Sequence, residues 1–250
     1  MVGHVICSQW NAKTWKYGYI CDIFGHIAQM PQIFNGFGIK YALLGRGTNE
    51  HNCPAHFVWK SPDGSSCITF KVPDDNGYGS FYIETLKGNK EETDDDKSQL
   101  VDGIKKYIER EKDRSLIPIV LIMDALDHEP IHRNTPKYIK IIKELYPEAE
   151  VRHVNLDDMG KELEQYRMQM PVKTGEINET AKKKAGYIHL ITHTLSSRYP
   201  IKKANDECQI LLEKWVEPLV AISGLRGEKI VDVQLIKSIR IWNIDLINQK

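Results

Sequence analysis

Asp22 and Arg46 have the surroundings most suggestive of chemistry. Asp22 follows residues 15–20, rich in aromatic and β-prone side chains, so a strand delivers it at its C-terminal end. There it reads as a nucleophile or a metal-binding carboxylate, against the plainer alternative of a loop acid capping the next helix. Arg46 ends a second apolar strand, residues 41–44, between Gly45 and Gly47, which allow close approach of backbone or ligand. A guanidinium there suits a sugar hydroxyl or a carboxylate; the alternative is a surface turn. Asp127 and His128 follow the apolar run 117–123 and suit a sugar or a metal, or else an Asx-type turn before Pro130. Glu176, in an expected last strand 172–177, is a candidate general acid/base, though a solvated surface acid is the commoner fate of such a residue. His26 opens a helix and reads as a packing or capping residue. His189 and His193 stand four apart, but their stretch reads as strand or irregular. No cluster has the ligand count of a closed zinc site. No Gly-rich phosphate loop or nucleophile-elbow serine is present.

The elements that position these residues alternate. Ile27, Met30, Ile33, Phe34 and Phe37 recur at spacings of three and four, so a helix joins the first two strands, with Pro31 in its first turn and Gly36 and Gly38 at its end. Two successive βα units thus place Asp22 and Arg46 at the same ends of neighbouring parallel strands, the edge where α/β proteins do their chemistry. Residues 56–72 alternate on both sides of Pro62-Asp63-Gly64 and read as a β-hairpin. Residues 73–79 are turn-rich. An amphipathic helix follows the acids at 94–96, and the run 117–123 reads as a strand buried on both faces. Thr135-Pro136 opens a helix to Leu145, residues 150–154 read as a short strand, and residues 156–168 as a helix. Strand and helix alternate in the manner of a parallel α/β sheet or barrel. Beyond about residue 185 the pattern changes to two long helices, 200–222 and 233–247, suggesting a separate helical domain.

Composition narrows the function classes. The 250 residues carry 34 basic and 34 acidic side chains with 41% hydrophobic residues, ordinary for a soluble globular protein of one or two domains. The neutral balance argues against nucleic acid as a partner, and Lys182–Lys184 reads as a solvated connector. No apolar run reaches bilayer-spanning length, and no signal peptide opens the chain, so no membrane partner is expected. Five scattered cysteines without a CxxC pair suit a reduced, cytoplasmic setting. An oligomer is compatible with the sequence.

The stretch from Asp22 through Ile-Phe-Gly-His-Ile-Ala-Gln-Met-Pro-Gln-Ile, then Gly-Phe-Gly-Ile39 and Leu-Gly-Arg-Gly47, closely resembles the bacterial branch of the retaining α-mannosidases of glycoside hydrolase family 38. Phe57–Ser65 resembles the family's hairpin, Asp127-His128 its substrate loop, Gly175-Glu176 an acid-bearing segment, and Thr194–Asn205 with 211–219 the approach to its helical middle domain. The resemblance implies a partial (β/α) barrel over residues 1–190 and the start of a helical-bundle middle domain over 191–250. It implies zinc as cofactor, Asp22 as both zinc ligand and nucleophile, Arg46 and Asp127 as substrate-binding residues, and Glu176 as acid/base. The partner implied is a mannose-containing oligosaccharide. A retaining glycosidase needs two carboxyl groups, one attacking the anomeric carbon and one protonating the leaving oxygen.

The family's His-x-Asp pair does not occur in this chain, nor does its later zinc-binding His-Asp segment, leaving Asp22 alone of four zinc ligands. The expectation is an internal fragment of such a mannosidase, inactive by itself, with barrel edges exposed to aggregation. Two alternatives stay open: a non-catalytic carbohydrate-binding remnant of the family, and a different barrel enzyme using Asp22, Asp127 and His128 at a remodelled metal site.

Overall fold

The computed structural model describes residues 2–86, 94–130, 132–179 and 198–227. The expected helix at 233–247 lies outside them, as do Lys182–Lys184, His189 and His193. The chain divides into two compact units, Met1–Thr192 and His193–Lys250.

In the first unit, helix α1 (Val2–Gln9) precedes strand β1 (Tyr17–Ile20), helix α2 (Met30–Gly36) and strand β2 (Tyr41–Leu44). Strands β3 (His56–Lys60) and β4 (Ser66–Lys71) follow, then helices α3 (Asp94–Arg114), α4 (Thr135–Leu145) and α5 (Leu156–Leu163), and strand β5 (Val172–Thr174). The described strands form one sheet in the order β1-β2-β4-β3-β5. β1, β2 and β4 are parallel, β3 is antiparallel to β4, and β5 runs with β3. This is a mixed α/β fold built on a parallel sheet. The expected hairpin is β3–β4; Asp63 closes its turn by accepting from the Ser65 amide at 3.0 Å and the Ser65 hydroxyl at 2.8 Å.

Both sheet faces are covered, which explains the apolar strands. Leu43, Val58, Ile68 and Phe70 face a layer closed by Met159, Leu163 and Met170. Ala42, Leu44, Phe57, Trp59 and Cys67 face the opposite layer, closed by Phe34 and Ile177. A third cluster joins α3 and α4 through Ile104, Tyr107, Ile108, Tyr138 and Ile142.

Three expectations need correction. Residues 117–123 form no ladder with the sheet, because Pro118 lacks an amide and the chain tightens there, Ile119 N bonding Ile117 O at 2.8 Å. The Ser115 hydroxyl occupies the Ile117 and Ile119 carbonyls, each at 2.8 Å. The run is still a two-sided wedge: Ile119, Leu121 and Met123 pack on one core and Ile122 on another. Residues 150–154 are likewise irregular; Val151 packs on the α3–α4 cluster, and the segment ends at Asn155, which caps α5 by accepting from Asp158 N at 2.9 Å. Helix α2 starts at Met30, not near Ile27, because the His26 backbone is tied to Ile177 in both directions, at 2.8 and 2.9 Å.

In the second unit, α6 (Tyr199–Leu211) passes through one π turn, Leu212–Val216, into α7 (Glu217–Leu225), matching the expected helix over 200–222. No helix among the described residues is long and apolar enough to cross a membrane.

Candidate active site

Strand register sets the first pair. Ile20 lies opposite Leu44, so Asp22 and Arg46 each stand two residues past a paired strand end. Arg46 Nε donates to Asp22 Oδ1 at 2.5 Å, and Nη2 pairs with the same oxygen. The Asp22 side chain is 60% exposed, whereas that of Arg46 is only 13% exposed. The Phe24 ring covers the guanidinium, its centroid 5.0 Å from Cζ.

The arginine is fixed from behind. His26, buried, donates from Nε2 to the Arg46 carbonyl at 3.1 Å and meets Trp59 edge-on. Burial pushes the His26 pKa down to about 4, so the ring is neutral at ordinary pH. Gly45 is needed for the pair to form: a β-carbon there would lie 2.3 Å from the Cys21 carbonyl oxygen. Gly47 has φ +94° and presses against the Ile177 carbonyl, which a β-carbon would meet at 2.4 Å.

Tyr78 and Asp127 form the second pair. Tyr78 lies in the 3-10 turn Gly77–Gly79 after β4, close to the exposed Asp127 carboxylate. Burial, then the Asp127 carboxylate, push the Tyr78 pKa up to about 12, and the charge of Asp22 acts in the same direction. The loops are packed together as well: Gly79 abuts Leu126 and Ala125. Beneath them burial raises the Cys21 thiol to about 12, an inert protonated group.

The sequence-predicted residues therefore separate. Asp22, Arg46 and Asp127 come together around Tyr78. His128, in the same turn as Asp127 with φ +64°, is exposed. Glu176 is exposed and precedes Ile177, whose backbone bonds His26 in the loop after Asp22 and whose carbonyl abuts Gly47. Tyr78 was missed. The available signal was a tyrosine in a turn-rich segment immediately after a strand parallel to β2.

The donors do not make a zinc site by themselves. Among the described residues no group of three His, Cys, Asp or Glu side chains converges on one point, and one oxygen of Asp22 is already held by Arg46. Catalytic zinc takes about three protein ligands.

Comparison with known proteins bears on this arrangement. The family model of the glycosyl hydrolases family 38 N-terminal domain matches residues 1–174. A protein of Halalkalibacterium halodurans that carries the name of a mannosylglycerate hydrolase is 30% identical over 223 aligned residues, covering 83% of this chain and 23% of that protein. The crystal structure of an alpha-mannosidase from Enterococcus faecalis V583 superposes with a TM-score of 0.65 at 25% identity, covering 91% of this chain and 25% of that one. The chain thus spans about a quarter of the length of these relatives.

Proposed function

The chain belongs to glycosyl hydrolase family 38, and on that premise we propose that it carries the nucleophile region of an α-mannoside-cleaving site. Its substrates on this reading are mannose-containing oligosaccharides or small mannosides; the name of the Halalkalibacterium halodurans relative adds mannosylglycerate to that class. The observation that carries the reading is the Asp22–Arg46 pair at the C-terminal ends of adjacent parallel strands, with Tyr78–Asp127 beside it.

Asp22 Oδ2 attacks the anomeric carbon, forming a C–O bond to the sugar as the bond to the leaving oxygen breaks, and water then releases the sugar with retained configuration. Arg46 holds Oδ1 and orients the carboxylate. The leaving oxygen takes a proton from a second carboxyl group. Glu176 holds that role by family resemblance, but Asp127 is the carboxyl that shares the group with Asp22, so we assign it sugar contact and proton transfer together. Zinc, where bound, would polarise and orient sugar hydroxyls; no step above passes through it.

The test uses aryl and alkyl α-mannosides. Asp127→Asn is expected to depress turnover of methyl α-mannoside far more than of dinitrophenyl α-mannoside, whose leaving group needs no proton. Glu176→Gln should change neither; the reverse pattern returns the acid role to Glu176. A second reading, binding of mannosides without hydrolysis, is favoured by the lack of a three-donor group among the described residues. Methyl α-mannoside bound by the chain but not cleaved, and lost in Arg46→Ala, would establish that reading.

A further inference from the structure

The loops that carry Arg46 and Tyr78 are joined by a chain of charged groups behind the site. Lys71, at the end of β4, is fully buried. Its ammonium donates to the Val72 carbonyl at 2.6 Å and to Asp74 Oδ1 at 2.7 Å. Asp74 Oδ2 accepts from the Glu50 amide at 3.0 Å, and the Asp74 amide donates back to Glu50 Oε1 at 2.9 Å. The same Glu50 oxygen lies 2.9 Å from Arg114 Nε, while Arg114 Nη2 donates to the Lys71 carbonyl at 2.7 Å and Nη1 pairs with Glu111. Glu50 is four residues past Arg46, and Asp74 is four residues before Tyr78.

Such an arrangement is a poor source of stability. Burial works against the Lys71 charge, lowering its pKa, with Asp74 opposing that shift. A well-packed apolar set of equal volume commonly serves stability as well or better. What the ionic set supplies is direction: the reciprocal Asp74–Glu50 bonds fix one loop against the other in one register, and Lys71 anchors that pair to the sheet.

We infer that Lys71, Asp74 and Glu50 are positioning residues, a clamp that sets Arg46 against Tyr78 and so shapes the site for a sugar; this rests on the carbohydrate reading above. None of the three touches the substrate. Loosening the clamp moves Tyr78 and Asp127 relative to the Asp22–Arg46 pair.

The experiment uses the whole chain labelled with 3-fluorotyrosine, the Tyr78 resonance being identified by its loss in Tyr78→Phe. Asp74→Asn and Lys71→Met are compared with Ile142→Val, a substitution in the α3–α4 cluster that leaves Lys71, Asp74 and Glu50 in place. Titration with methyl α-mannoside gives the affinity of each. The clamp predicts that Asp74→Asn and Lys71→Met shift or broaden the Tyr78 fluorine signal and weaken the mannoside by about tenfold. Ile142→Val, though less stable, should move neither. If Asp74→Asn fails to fold, Glu50→Gln, whose side chain is 34% exposed, carries the same comparison. A Tyr78 signal unmoved by the clamp variants overturns the inference. A parent protein that binds no mannoside overturns the carbohydrate reading instead, and the fluorine signal then decides the clamp alone.

Discussion

At the scale of single residues, Asp22 and Arg46 divide the work between exposure and anchoring. The carboxylate is open to solvent, while the guanidinium beneath Phe24 is largely enclosed and held through its carbonyl by His26. Asp22→Asn is expected to lower aryl α-mannoside turnover by roughly three orders of magnitude or more, as removal of a nucleophile does; chromophore release measures it, and turnover near the parent's would remove Asp22 from that role. Arg46→Lys keeps the charge but loses the fork that grips one oxygen with two nitrogens, so mannoside affinity should fall about tenfold. These two residues were legible in the sequence because each is fixed by its own strand, a local pattern. Asp124 and Asp127 show how far that legibility reached. They look alike in sequence, three apart in one loop, yet Asp124 receives the Thr135 hydroxyl at 2.6 Å at the start of α4 and Asp127 stands beside Tyr78. Which acid faces the site depends on partners that lie 11 residues ahead and 49 behind, beyond any local spacing.

At the scale of elements, the ends of β1 and β2 must nearly touch. Gly45 against the Cys21 carbonyl is the point of closest approach. Gly45→Ala should part the two strand ends, costing about 1–3 kcal/mol of stability and separating Asp22 from Arg46. Denaturant unfolding together with mannoside titration checks both effects; an unchanged midpoint would show that the strand ends have room to spare. Elements with clean periodicity, such as the hairpin β3–β4 and the helices α3 and α4, were readable from sequence. The run 117–123 was not, since an apolar stretch records that a segment is buried on two sides and not whether a free sheet edge awaits it. Pro118 and Ser115 decided against a ladder there.

At the scale of the whole molecule, burial of titratable groups ties stability to pH. Burial lowers His26 and His56 to about 4, from an unfolded value near 6.5. Both stay neutral in the fold while the unfolded chain takes up protons between those values, so their contribution is full above about pH 6.5 and is lost as pH falls towards 4. Each is worth at most on the order of 3 kcal/mol by that shift. Melting temperatures recorded from neutral pH down to 5 should fall in the parent and fall less in a His26→Gln, His56→Gln double variant; parallel slopes would refute the assignment. The sequence by itself determined the strand–helix–strand unit β1-α2-β2, the hairpin and the placing of Asp22 and Arg46 at one edge, though no helix follows β2 as a second βα unit would need; hydrophobic periodicity and turn chemistry act over a few residues and a strand carries its terminal residue to a predictable edge. Only the tertiary structure decided that β4 lies between β2 and β3, that Tyr78 stands beside Asp127, that Ile177 next to Glu176 bonds His26, and that Lys71 is buried beside Asp74 and Glu50. Those outcomes depend on which distant segments share a core, and that is settled by the packing of whole layers.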